Sequence, residues 1–299
     1  MYDVVIVGAG TAGLSAAIYV QRAGKTALVL EGNAYGGQII NTLDVENYPG
    51  IKHISGFDFA TGLFEQAQEL GAKVEFEAVL QIVDNGAEKI VKTRDHEYPC
   101  KAVILATGVK RREMGIENEK ELVGSGVSYC ATCDGAFYRK KDVAVFGGGN
   151  TALEDAEFLT RFCNHVYLIH RRDQFRADEA EVKKTLAKEN LEPVLNCNVT
   201  GLVSEGKLTG VEVTNKITGE KKVLPVSGLF VAIGQIPSNG AFADLVELDE
   251  SGYIVAGEDC RTSAPGIFAA GDCRTKKVRQ LATAAADGAI AALAACEIA

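Results

Sequence analysis

A short glycine pattern occurs twice in this chain, each time between an apolar strand pattern and a helical one. The first copy is VVIVGAGTAG, residues 4–13, which gives Gly8-x-Gly10-x-x-Gly13. The second is VAVFGGGNTA, residues 143–152, which gives Gly147-x-Gly149-x-x-Ala152. A strand that runs through such glycines into a helix opens a βαβ unit of the dinucleotide-binding kind. Glycine is needed because backbone N–H groups must approach a pyrophosphate closely, at a helix N-terminus that favours negative charge. Alanine in the third slot still allows close helix packing. Around the two copies, short β-branched runs (TALVL, AVILA, HVYLI, GLFVAI) alternate with helical stretches, which predicts parallel sheets. Residues 73–100 and 198–225 instead alternate polar with apolar, punctuated by glycine turns, and read as antiparallel ribbons. The expected fold class is α/β, with two Rossmann-like dinucleotide-binding domains, parallel sheets and antiparallel ribbon crossovers.

The residues that close the second strand of each unit differ. TALVL ends in Glu31, 18 residues after Gly13. That is near the spacing of about 20 expected for an acid that holds a free ribose hydroxyl. HVYLI, residues 165–169, runs instead into HRRDQFRA, residues 170–177. Arg171, Arg172 and Arg176 offer the forked geometry that grips a phosphate. One site therefore expects an unphosphorylated dinucleotide, read as FAD, and the other expects NADPH. Towards the end of the chain, TSAPGIFAAGDC (262–273) carries a strand into Gly271-Asp272, where a carboxylate can accept hydrogen bonds from a flavin's ribityl chain. This motif lies beyond the second fingerprint. The expected organisation is thus a discontinuous FAD domain, 1–114 and 241–299, with an NADPH domain, 115–240, inserted into it.

Bulk properties exclude several classes. A net charge of −9 and a pI near 5.1 argue against an extended nucleic-acid surface. No apolar run approaches the ~20 residues that span a bilayer, and Met1 leads almost at once into DVVIV. The expected location is the cytoplasm, where the eight cysteines should mostly be reduced. The one CxxC, Cys130 and Cys133, has three possible uses: a static disulfide, half a zinc site, or a redox dithiol. No second CxxC accompanies it, and the one CxH that comes near, Cys163-Asn164-His165, straddles a loop before a strand, so no metal is expected.

Taken together, GAGTAGLSAA, GGQIINTLDVENYPG (36–50), ILATG, CATCDGAFYRKKDVAVFGGGNTALEDA (130–156), HRRDQFRA, GLFVAIGQIPSN, TSAPGIFAAGDC and RQLATAAADG (279–288) resemble the low-molecular-weight, bacterial-type thioredoxin reductases. These are flavin disulfide reductases, and the likeness runs along nearly the whole chain. It implies electron flow from NADPH to FAD, to a Cys130–Cys133 disulfide and on to thioredoxin. It also implies a homodimer and an inserted domain that rotates between half-reactions on linkers near 111–117 and 235–242. Cys133 would be the thiol nearer the flavin, Cys130 would attack the partner's disulfide, and Asp134 matches the family's acid/base. By the same resemblance Gly37, Gln38, Asn47, Arg279 and Gln280 lie on the flavin side with Glu31 and Asp272. Asn150, Thr151 and His170 join the arginines at NADPH. Phe137, Tyr138 and Arg139 would meet the partner, although a core role for Phe137 is equally open. The chain departs from the family at Thr11 and Ala136. The alternatives are a reductase with ferredoxin or another donor, against which HRRDQFRA speaks, and a flavin-based redox sensor.

Overall fold

The computed structural model describes every residue from 1 to 299 except Leu43, and for Asn41 the backbone alone. The chain divides into two compact units, Met1–Lys110 with Ile236–Ala299, and Arg111–Gln235.

The first unit begins as the sequence pattern predicts. Strand β1 (Tyr2–Val7) passes through the glycine loop into helix α1 (Thr11–Arg22), and β2 (Ala27–Leu30) returns parallel to β1. Helix α2 (Gly56–Glu69) is opened by Ser55, whose side chain accepts the Asp58 N–H at 3.0 Å. It leads to β3 (Lys73–Glu75), which is parallel to β2. The ribbon zone expected from residue 73 therefore starts later, because this alternating stretch is the polar outer strand of the parallel sheet. Antiparallel pairing begins with β4 (Gln81–Asp84) and β5 (Lys89–Lys92), and continues into β6 (Glu97–Leu105), which rejoins β1 in parallel.

After β7 (Val109–Arg111) comes the inserted unit: β8 (Val127–Ser128), helix α3 (Ala131–Asp134), β9 (Asp142–Gly147), helix α4 (Asn150–Thr160), β10 (His165–Ile169), helix α5 (Glu179–Leu186) and β11 (Leu191–Val194). Three antiparallel strands follow, β12 (Cys197–Ser204), β13 (Leu208–Asn215) and β14 (Lys221–Leu224), and then β15 (Gly228–Ala232). The parallel sheet runs β11-β10-β9-β15-β8. The outgoing crossing, β16 (Gln235–Pro237), pairs with β7.

The tail completes the first unit. Strand β17 (Ile267–Ala269) adds in parallel to β6, and helix α6 (Leu281–Cys296) packs on α1. That helix crossing is built from small side chains: a Cβ on Gly288 would lie 2.2 Å from the Ala12 carbonyl oxygen.

Strand alternation divides the cores in both units, since successive residues point to opposite faces. Val4 and Ile6 pack with α1 and α6, while Val5 and Val7 join the opposite cluster with Ile82, Val91 and Phe242. In the inserted unit Val143 and Val145 pack with α4, while Ala144 joins Val199, Val211 and Val213 of the three-stranded sheet. Among the described residues no helix is long and apolar enough to cross a membrane.

Candidate active site

The two glycine loops repeat one geometry. Gly8 presses against the end of β6, where a Cβ would stand 2.4 Å from the Ala106 oxygen. Gly147 presses in the same way on the end of β15, 2.3 Å from the Ala232 oxygen. At the third slot the solutions differ. A Cβ on Gly13 would meet the Gly8 oxygen at 1.8 Å, whereas Ala152 has room because Gly147 lacks a side chain. Both helices start from a glycine N-cap without a side-chain cap, Gly10 for α1 and Gly149 for α4. Their first N–H groups therefore remain available to an anion.

Around the first loop the structure gathers groups from distant parts of the chain. One Glu31 oxygen accepts the Ala9 N–H at 2.8 Å and the other accepts the Asn33 N–H at 2.9 Å, which aims the carboxylate at the loop. Gln38 donates from its side-chain amide to the Val109 oxygen, and Gly37 lies beside Gly10, 3.4 Å from where a Gly37 Cβ would point. The Asn47 amide donates to the Gln280 side chain at 3.1 Å, across 233 residues of sequence. Gln280 itself caps α6 through a reciprocal box with Thr283. Asp272 sits on the turn Gly271–Cys273, close to the start of α1, since a Cβ on Gly271 would lie 2.8 Å from that of Ala12. Its Oδ1 is buried without a hydrogen-bond partner, and burial pushes its carboxyl above the usual range. Such an atom in a folded protein calls for a donor from outside the chain. The ribityl hydroxyls of a flavin are donors of that kind, so this half fits FAD.

Sequence reasoning missed what holds that turn. Asp287 of α6 is 4% exposed and Arg274 is 1% exposed. The Arg274 fork donates to both Asp287 oxygens, at 2.8 and 2.9 Å. Lys276 and the Gly271 N–H also donate to Asp287, at 2.8 and 2.9 Å. Burial would raise the Asp287 carboxyl, but Arg274 and Lys276 hold it below its ordinary value. The one signal in the sequence was a lone acid in an alanine-rich helix. Arg279 stacks over Tyr253 at 4.2 Å and donates to the carbonyls of Asp272, Arg274 and Lys276, which ties the same loop. Asn239 was also missed; it is buried and bridges Thr107, Gly252 and Cys273.

In the inserted unit Arg171, Arg172 and Arg176 are exposed on the loop after β10. Arg176 is fastened to the glycine loop by its N–H, which donates to the Gly148 oxygen at 2.7 Å. Asn150 accepts the Asp178 N–H at 3.0 Å, and Thr151 is exposed on the first turn of α4. His170 lies apart from the open cluster, 4% exposed, with its ring stacked on Phe175 and directly beneath Gly148. Burial lowers its pKa, so the imidazole is neutral at pH 7.

The dithiol opens α3. Cys130 and Cys133 are joined as a disulfide, with Cα atoms 5.3 Å apart. Asp134 ends the helix. Burial pushes its carboxyl up, opposed by a hydrogen bond from Ser128 at 2.6 Å and by the charge of Arg111. Arg111 lies over the Tyr129 ring at 5.1 Å, and the Tyr129 hydroxyl donates to Glu119 at 2.6 Å. Glu119 is buried and also accepts the Met114 and Gly115 N–H groups. Phe137 is 46% exposed, while Tyr138 packs edge-on to Phe230. Of the other thiols, Cys100 and Cys260 are pushed up to about 12 by burial, so neither forms a thiolate at neutral pH.

Two dinucleotide-binding α/β units on one chain, one of them bearing a closed CxxC, define a dinucleotide-linked disulfide oxidoreductase. The family model for pyridine nucleotide-disulphide oxidoreductases matches residues 2–289. The chain is 41% identical to a thioredoxin reductase of Listeria monocytogenes, over 97% of this chain and 92% of that one. It is 44% identical to a thioredoxin reductase of Treponema pallidum, over 98% and 96%. The crystal structure of thioredoxin reductase from Streptococcus pyogenes superposes with a TM-score of 0.96 at 39% identity, covering 100% of this chain and 98% of that one. The chain belongs to the pyridine nucleotide-disulphide oxidoreductase family.

Proposed function

We propose that the protein is an NADPH-dependent thioredoxin reductase: a flavoprotein in which Cys130 and Cys133 deliver electrons to the disulfide of thioredoxin. The observation that carries this reading is the disulfide on α3, one strand ahead of a glycine loop flanked by three arginines. Curated relatives of the same name along nearly the whole chain support it.

In this reading the first unit holds FAD. The α1 N-terminus with Gly8, Gly10 and Gly13 receives the pyrophosphate, Glu31 a ribose, and Asp272 the ribityl chain. Gly37, Gln38, Asn47, Arg279 and Gln280 line or brace the flavin side. FAD, when bound, takes an electron pair from NADPH and passes it to the disulfide. The inserted unit holds NADPH at Gly147, Gly149, Asn150 and Thr151, with Arg171, Arg172 and Arg176 on its 2′-phosphate. His170 supports the loop from beneath. The inserted unit turns on its two crossings to present nucleotide or disulfide in succession. Phe137 is placed to meet the partner, and the working form is a cytoplasmic homodimer.

The residues of α3 then complete the exchange. Once reduced, Cys130 attacks one sulfur of the partner's disulfide as a thiolate, forming a mixed disulfide and expelling the other sulfur. Asp134 supplies the proton that this leaving thiolate takes up. Cys133 next attacks Cys130, which re-forms the Cys130–Cys133 disulfide and releases the second partner sulfur. Burial pushes its carboxyl above the ordinary value, the direction that suits a proton donor.

The nucleotide assignment is tested by Arg172→Ala and Arg176→Ala. Each should raise KM for NADPH about 10- to 100-fold, the value of a hydrogen bond to a charged group, and leave the NADH reaction unchanged. Equal effects on both nucleotides would place the arginines elsewhere. The loop itself is tested by Gly148→Ala, whose Cβ would stand 2.1 Å from the His170 ring. Overpacking of about 1–3 kcal/mol is expected, seen in a titration as NADPH affinity lowered by about tenfold.

A further inference from the structure

Ser128 has no part in the electron path, yet it is 3% exposed and lies on β8, the strand that leads into the dithiol. Its backbone is fixed by the register of β8 against β15, where Ser128 stands opposite Phe230. Its Oγ touches three groups. It accepts the Cys130 N–H at 3.1 Å, lies 2.6 Å from Asp134 Oδ2 and lies 3.3 Å from the Cys130 carbonyl oxygen. A serine hydroxyl has one proton to donate and two lone pairs with which to accept. Those capacities match the three neighbours in either protonation state of the carboxyl.

With Asp134 ionised, the hydroxyl donates to Oδ2. With Asp134 protonated at Oδ2, the carboxyl donates to Oγ, and the hydroxyl proton turns to the Cys130 carbonyl. In both states the Cys130 N–H stays bonded and no buried polar atom is orphaned. We propose that Ser128 positions the Asp134 carboxyl for proton exchange with the dithiol, serving as its hydrogen-bond partner whether or not the proton is present. This rests on Asp134 acting as the proton donor in the exchange.

The Ser128 bond holds the carboxyl through Oδ2 in both states, one residue along the chain from Cys133. The charged and titratable groups acting on Asp134 are Arg111 of β7 and Tyr138 of the following turn. Helix α4, packed on α3, carries Glu154, Asp155 and Glu157. The last of these is paired with Lys184, and burial beside Glu154 pushes the Asp155 carboxyl up to about 7.

The test compares Ser128→Ala, Ser128→Thr and Asp134→Asn in the pH profile of thioredoxin reduction, with NADPH bleaching of the flavin as the check on folding. Ser128→Ala should slow thioredoxin reduction about tenfold and move the inflection that Asp134→Asn abolishes to higher pH, because burial is then less opposed. Ser128→Thr, which keeps the hydroxyl, should restore rate and inflection together. If Asp134→Asn abolishes the inflection but Ser128→Ala leaves it in place, the Ser128 proposal falls and the role of Asp134 stands. If Asp134→Asn leaves the profile unchanged, both fall. Should Ser128→Ala not retain its flavin, Ser128→Gly is read by the same criteria.

Discussion

Replacing Cys133 by serine should lower NADPH-dependent reduction of thioredoxin by about 10³-fold or more, because the two thiols act as a unit and neither completes the exchange alone. The flavin should still be bleached by NADPH. The diagnostic is therefore stoichiometric. Titrated anaerobically, the native enzyme takes up one electron pair for the flavin and a further pair for the Cys130–Cys133 disulfide. The Cys133→Ser protein should take up the flavin's pair alone. Uptake of the second pair by the variant would locate the electron store at another cysteine. The six remaining thiols make that a poor prospect, since five are buried and Cys296 is half-buried. If neither NADPH nor NADH bleached the native protein, a different electron donor would be indicated.

The second large effect belongs to Asp287, far from the dithiol in sequence. Asp287→Ala removes the buried counter-charge of the Arg274 guanidinium and the Lys276 ammonium, and leaves Arg274 with the exposed Glu258 and two backbone carbonyls. Removing one partner of a buried ion pair costs about 3–5 kcal/mol. The turn that carries Asp272 hangs from the same carboxylate, so flavin should be lost along with stability. Denaturant unfolding together with the flavin-to-protein absorbance ratio reads both. A triple variant, Asp287→Leu with Arg274→Met and Lys276→Met, should recover much of the unfolding free energy without recovering the flavin. The pH dependence has a definite sign. The folded carboxyl is held below its unfolded value of about 3.9, so its contribution is present above that pH and is lost as the pH falls through the folded value. Asp287→Asn should flatten that acid limb. An acid limb unchanged from the native one would mean that the ion pair does not contribute as the geometry requires.

Much of this protein can be read in its sequence because the informative constraints are local. A glycine loop declares itself where strand, turn and helix follow within ten residues, and two copies fix two α/β units. The dithiol is similarly legible, four residues long and unique in the chain. The contacts that brace those sites are long-range. Arg274 and Asp287 stand 13 residues apart on different elements, and Asn47 reaches Gln280 over 233. No periodicity marks such pairs. The resemblance set His170 beside the arginines; neighbouring side chains at a strand end point in opposite directions, and its ring goes under Gly148. The stretch Lys73–Glu75 misled the sequence reading. An outer parallel strand with one wet face alternates just as a ribbon does, so its pairing partner, β2, had to be seen.

The pairing of β7 with β16 has one more implication. Neighbouring strands lie about 4.7–4.9 Å apart, so the inserted unit enters and leaves its host through a single narrow doorway. A piece of chain whose two ends meet can be added to a protein, or removed from one, without redrawing the sheet around it. Its growth, loss or exchange over generations is a change of attachment and leaves the host's architecture intact. At that doorway a new specificity could be fitted while the two flanking strands keep their pairing.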